Sequence, residues 1–98
     1  MAVKILIKRK ITIDKAKQMI PLFRKMRSMA TSQPGYISGE TLKRLDEPGE
    51  FLVISTWHSS DDWHAWLQSE DRKKIKNEID DLLGGDTDYE IYHYGFAE

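Results

Sequence analysis

Phe51 to Leu67 reads FLVISTWHSSDDWHAWL, and it holds all three tryptophans of the chain and two of its three histidines. Its first half lacks the alternation of a sheet with one wet face. Phe51 and Val53 fall on one side and Leu52 and Ile54 on the other, so a strand here is apolar on both faces and must be covered on both. At Ser59 the pattern changes. Asp62 follows three residues later, an approximate capping box, and Trp63, Trp66 and Leu67 then share one face of a helix.

Working outward, DEPG (Asp46 to Gly49) suits a tight reversal, so Tyr36 to Leu45 and Glu50 to Trp57 are predicted to form an antiparallel hairpin. Near the start, Val3, Ile5, Ile7 and Ile11 alternate with Lys4, Lys8 and Lys10, a strand with one buried face. Arg9 interrupts the apolar side. From Asp14, a candidate N-cap, to Thr31, the residues Ala16, Met19, Ile20, Phe23, Met26, Met29 and Ala30 recur at helical spacing, and Pro21 predicts a kink or a restart. The helix should stop before Pro34 and Gly35. Ile75, Ile79, Leu82 and Leu83 mark a further helical run, with Glu70 and Lys74 at ion-pair spacing and the GGD of residues 84–86 as its end. Tyr89 to Phe96 alternates and gives a last strand.

The order strand, helix, strand, strand, helix, strand is the split βαβ plan of a ferredoxin-like α+β domain, with a four-stranded antiparallel sheet carrying two helices on one face. The other face is left bare while the third strand is apolar there. A homodimer built sheet to sheet is the expected cover.

Ninety-eight residues suit a single domain, 1–98, with a thin core. Lys plus Arg is 15 against 16 for Asp plus Glu, a net charge of −1 that speaks against nucleic acid as a partner. The chain has no cysteine, which removes disulfides, thiolate metal sites and a cysteine nucleophile. No two histidines have metal-ligand spacing, so no metal is expected. The N-terminal residues lack the apolar block of a signal peptide, and no apolar run approaches the ~20 residues that cross a bilayer. These features place the protein in the cytoplasm, with no membrane contact.

QPGYISGETL (Gln33 to Leu42), followed by EPGEFLVISTWHSSDDWHAWLQS (Glu47 to Ser69), resembles the antibiotic biosynthesis monooxygenase (ABM) family of small dimeric α+β barrels. The likeness includes a W-x-S turn at Trp57 to Ser59 and a W-L-x-S segment at Trp66 to Ser69, and runs over about four-fifths of the chain. It implies the fold, and an oxidoreductase activity drawn from a family that spans cofactor-free quinol oxygenases, haem-degrading enzymes, isomerases of signal molecules and many members of no known activity. In the haem-degrading branch a first-strand asparagine, a tryptophan in the W-L-x-S helix and an iron-binding histidine carry the chemistry. Their places here are Arg9, Trp66 and the neighbourhood of Lys76. A protonated lysine offers iron no lone pair, which disfavours haem degradation. In the quinol oxygenase branch a histidine precedes L-x-S. That place is Trp66 here, and His64 lies two residues earlier, about 160° around the helix.

Trp63 and Trp66 admit two compatible readings, as pins of the helix against the sheet and as the flat wall of a site for an aromatic ligand. Trp57 reads as structural. His64 is either an exposed helix residue or an acid/base, His58 a group beside a helix start, and His93 a buried strand residue or an acid/base. Arg9 must snorkel, pair with a carboxylate or hold an anionic ligand. RKKIK (Arg72 to Lys76) reads as a solvated helix face. The leading expectation is a cofactor-independent monooxygenase acting on a small phenol or quinol, with Arg9 as the cation, His93 or His64 as the acid/base, Trp63 and Trp66 as walls, and no cofactor. The rival is a non-catalytic dimeric binding or stress-associated protein on the same scaffold, its pocket filled by its own tryptophans.

Overall fold

A computed structural model describes residues 2–84 and 87–93. Four strands and three helices follow in the order β1 (Val3–Lys10), α1 (Ile13–Ala30), β2 (Tyr36–Lys43), β3 (Glu50–Trp57), α2 (Ser60–Leu67), α3 (Glu70–Leu83) and β4 (Asp88–Tyr92). The sheet runs β2-β3-β1-β4, with every neighbouring pair antiparallel. This is the expected α+β ferredoxin-like plan. Its second helical segment is divided in two, because Ser69 caps a new helix by accepting from the Arg72 N–H at 3.2 Å.

Alternation along β1 decides the two faces. Val3, Ile5, Ile7 and Arg9 are buried under the helices, and the residues between them point to the other side. In register with them on β3 are Trp57, Ser55, Val53 and Phe51. One core cluster joins Val3, Ile5, Ile7 and Trp57 to Trp63 and Trp66 of α2. A second joins Ile11 and Met19 to Ile75 and Ile79 of α3. The opposite face of the sheet carries Leu6 across from Ile54 and Leu42 across from Leu52, uncovered within the chain and bordered by the Lys8–Glu90 and Lys10–Glu50 ion pairs.

Several element boundaries differ from the sequence reading. Helix α1 begins one residue before Asp14 and takes Thr12 as its N-cap residue, while the Thr12 hydroxyl donates to the Asp14 carboxylate and holds it below the usual carboxylate range. It runs unbroken through Pro21, since Met19 and Phe23 on either side are anchored in the second core cluster and outweigh one lost hydrogen bond. Strand β2 stops at Lys43 rather than Leu45, because Arg44 turns to pair with Asp46 and Glu50 and pulls both carboxyls below their ordinary range. The β2–β3 reversal closes with Glu50 N–H on the Glu47 carbonyl and Gly49 at φ 94°, the positive value that a type II turn after Pro48 requires. Gly84, at φ 77°, ends α3 as expected, and residues 85 and 86 of the expected stop lie outside the described residues. So do residues 94–96 of the expected last strand. On α3 the ion pair at helical spacing is Lys76–Asp80 in place of Glu70–Lys74. Among the described residues no helix is long and apolar enough to cross a membrane.

The cap of α2 forms as the sequence predicts: Ser59 Oγ accepts from the Asp62 N–H at 3.1 Å and donates to its carboxylate at 3.0 Å. Asp62 leans over Gly35, where an added Cβ would lie 2.3 Å from the carboxyl, at a backbone φ of 85°. Gly35→Ala should therefore destabilise the fold by about 2 kcal/mol, from strain and from loss of the cap. Chemical denaturation measures it, and a change within about 0.5 kcal/mol would contradict this account of the corner.

Candidate functional site

Between α1 and the helix-side face of the sheet lies a cavity of ≈ 270 Å³. Its size falls just below the ~300 Å³ at which ligand pockets ordinarily start. The floor is Ile7 and Arg9 of β1 with Val53, Ser55 and Trp57 of β3, and Trp63, Trp66 and Arg72 close the inner end. Phe23 and Met26 of α1 form the roof, while Arg24, Arg27 and the Glu40–Thr41 stretch of β2 stand at the exposed mouth. Arg27 spans that mouth, donating to the Gly39 carbonyl at 3.0 Å.

The walls are aromatic and interlocked. Tyr36 meets Trp57 edge-on with ring centroids 5.4 Å apart, Trp57 meets Trp63 at 5.8 Å, and Trp63 meets Tyr89 at 5.8 Å. Trp57 is the structural member, as expected, for its indole N–H is satisfied by Ser55 Oγ at 3.0 Å. Trp63 and Trp66 are at once core residues and cavity wall.

Arg9 is 6% exposed, with its guanidinium carbon 5.0 Å from the centre of the Phe23 ring. Burial pushes it below the ordinary arginine range; the charge of Arg72 adds to this, and Tyr89 and Asp80 oppose it. It remains a cation. Arg72 corrects the sequence reading most sharply. Residues 72–76 were expected on a solvated face, yet Arg72 is 1% exposed, lies over both the Trp63 and Tyr89 rings at 5.3 and 5.0 Å, and donates to the Tyr89 hydroxyl at 2.8 Å. Its place three residues before Ile75 and seven before Ile79 puts it on the buried stripe of α3, a signal available in the sequence. Lys73 and Lys74 of the same run are exposed.

The histidines are not drawn together. His58, His64 and His93 are all exposed and none lines the cavity. His64 sits on the outer side of α2, and His93 follows a short edge strand whose Ile91 is itself exposed, so neither faces Arg9. Lys76 is engaged by Asp80. Among the described residues no three His, Asp or Glu side chains gather where a metal could sit. A wider hollow of ≈ 640 Å³ shares Arg9 at the end of β1, but its rim of Lys10, Arg44 and Glu50 is already joined in ion pairs, as a solvated groove would be.

A lone buried guanidinium weakens the fold that holds it. Arg9→Met keeps the length and the contact with Phe23 while removing the charge, and should raise stability by ~1 kcal/mol in chemical denaturation. A loss of that size would show that Arg9 is structural.

The family model described as antibiotic biosynthesis monooxygenase matches residues 2–78. Protein SchA of Streptomyces halstedii is 24% identical over 68 residues, 69% of this chain, and the chain spans only 18% of that relative's length. Among solved structures, a conserved protein from Methanosarcina mazei Go1 superposes with a TM-score of 0.85 at 17% identity, covering 94% of this chain and 91% of that one. A mutant form of SnoaB, a cofactor-independent oxygenase from Streptomyces nogalater, gives 0.84 at 14% identity, with 99% and 98% covered. Rv0793 from Mycobacterium tuberculosis gives 0.82 at 14%, with 95% and 94% covered.

Proposed function

This chain belongs to the antibiotic biosynthesis monooxygenase family, and on that footing we propose that it is a cofactor-independent monooxygenase acting on a small electron-rich phenol or quinol held in the cavity under α1. The observation that carries the reading is the junction of an aromatic wall, Trp63 and Trp66, with two buried guanidiniums, Arg9 and Arg72, around open space. A pocket filled by its own tryptophans, which the binding-protein reading expects, would leave no such room.

Bound against fixed positive charge, a phenol ionises more readily than in water. Arginine is not the base, since it stays protonated, and the proton passes to water at the mouth. The phenolate gives an electron to dioxygen, and the resulting radicals join as a C–O bond at a ring carbon. That carbon then loses its hydrogen as a proton while the O–O bond breaks. The sum is phenol plus dioxygen to quinone plus water, with the substrate supplying every electron. The protein contributes orientation, charge and walls that keep water from the intermediate.

The same proposal makes the active species a homodimer joined through the open sheet faces. Leu42, at 45% exposed, and its neighbours Leu52, Leu6 and Ile54 form an apolar patch that a second copy would cover. Sedimentation at micromolar concentration should give about twice the monomer mass, and a stable monomer there would remove this part of the proposal.

The activity is tested with a panel of naphthols and naphthoquinols under ¹⁸O₂. Wild type should consume oxygen and place one labelled atom in the quinone. Trp66→Phe should cost little stability, about 1 kcal/mol, yet weaken ligand binding several-fold, because a smaller ring leaves the wall incomplete. Saturable binding without oxygen uptake would assign the chain to the binding class, and no binding at all would end the reading.

A further inference from the structure

The inner end of the cavity carries more hydrogen-bond donors than an aromatic ring can use. Arg9 Nε, Arg72 Nε, Arg72 Nη1 and Trp63 Nε1 are all shut off from solvent, with no hydrogen-bond partner among the described residues. Buried donors are almost always satisfied, so four orphans on three neighbouring side chains mark a place where something accepts. Among the described residues, no carboxylate makes an ion pair with either arginine. Asp80, whose charge reaches Arg9, is itself held by Lys76 and by the Thr87 hydroxyl at 3.2 Å. Two like charges, 6% and 1% exposed, thus line one cavity, and no carboxylate among the described residues is paired with either.

We propose that this end of the cavity is a carboxylate subsite: the ring-bearing ligand carries a carboxylate that seats against the guanidinium edges of Arg9 and Arg72 and the indole N–H of Trp63. The inference rests on the cavity being the ligand site, and adds what the ligand must carry. Donor number decides between anions. A phenolate offers one oxygen, whereas a carboxylate offers two oxygens with about four lone-pair sites, matching the four nitrogens here. The planar fork of arginine also suits a carboxylate edge. The mouth supports the same charge preference, for Arg24 and Arg27 flank it and favour entry of an anion, against one carboxylate, Glu40.

The test is calorimetric titration of the full chain with hydroxynaphthoates that differ in carboxylate position, each beside its methyl ester, which has nearly the same shape and no charge. At least one acid should bind about tenfold or more tightly than its ester, the worth of hydrogen bonds to a charged group. Arg72→Lys keeps the charge and loses the fork, and should bring acid and ester within about threefold, with an unchanged near-ultraviolet circular dichroism spectrum reporting the fold. The wild-type comparison stands even if that variant fails to fold. Esters that bind as tightly as every acid would overturn the carboxylate subsite and leave the cavity as a ligand site; binding by neither would overturn both.

Discussion

The pairing of β1 with β3 is the constraint on which the rest depends. Ile7 lies opposite Val53 and Arg9 opposite Phe51 in a strict antiparallel register. A slip of one residue would turn Arg9 to the open face and bring Lys8 or Lys10 under the helices, for side chains alternate with period two. The register is locked at both ends. Trp57 is buried opposite Val3 at one end, and at the other the Ile11 N–H reaches the Gly49 carbonyl at 2.7 Å, tying the hairpin turn to the chain that leaves β1. An arginine in the core is thus imposed by a hydrophobic pattern that has no other place to put it.

That placement is costly, and magnitudes show how a small domain tolerates it. Burial of an ion without a counter-ion costs several kcal/mol after relaxation, and Arg9 and Arg72 have no ion-pair partner among the described residues. Against this stand three indoles, 1–3% exposed, each hiding on the order of 200 Å² and so contributing up to roughly 5 kcal/mol. The aromatic rings also lie against the guanidiniums, which recovers part of the lost hydration as cation–π attraction. The aromatic cluster therefore supports the fold and the candidate site together: its tryptophans close the core, and Trp63, Tyr89 and Phe23 lie against charges that an aliphatic core would expel.

Much of this was legible in the sequence. The two-sided apolar strand, the Ser59 cap and the order of elements gave the fold, and Arg9 stood out because it broke an alternation. Arg72 obeys the same logic at helical spacing, in line with Ile75 and Ile79, and was hidden by its neighbours: RKKIK looks like a charge run until each residue is assigned its own angle around the helix. The histidines stand apart for the opposite reason. Chemical suitability singled out His64 and His93, but His64 sits away from the Trp66 face, and β4 is a five-residue edge strand that the helices cover only in part. Residue type singled out two side chains that position leaves exposed and outside the lining of the cavity. The cavity itself was not legible, since its volume depends on how α1 stands off the sheet, a matter of tertiary packing that no local pattern encodes.

A site built on arginine rather than histidine has a consequence for how it responds to pH. The histidine side chain changes charge near neutrality, so a histidine base would impose its own titration on any reaction. Arginine stays charged throughout the range in which the protein is folded, even with Arg9 shifted downward by burial. On the proposed function the arginine charge in the cavity stays constant, and the group that titrates is the bound phenol, its ionisation favoured by that charge. The pH dependence of turnover then belongs to the substrate: it should move when the phenol is changed for one of different acidity, and stay in place when His64 or His93 is replaced.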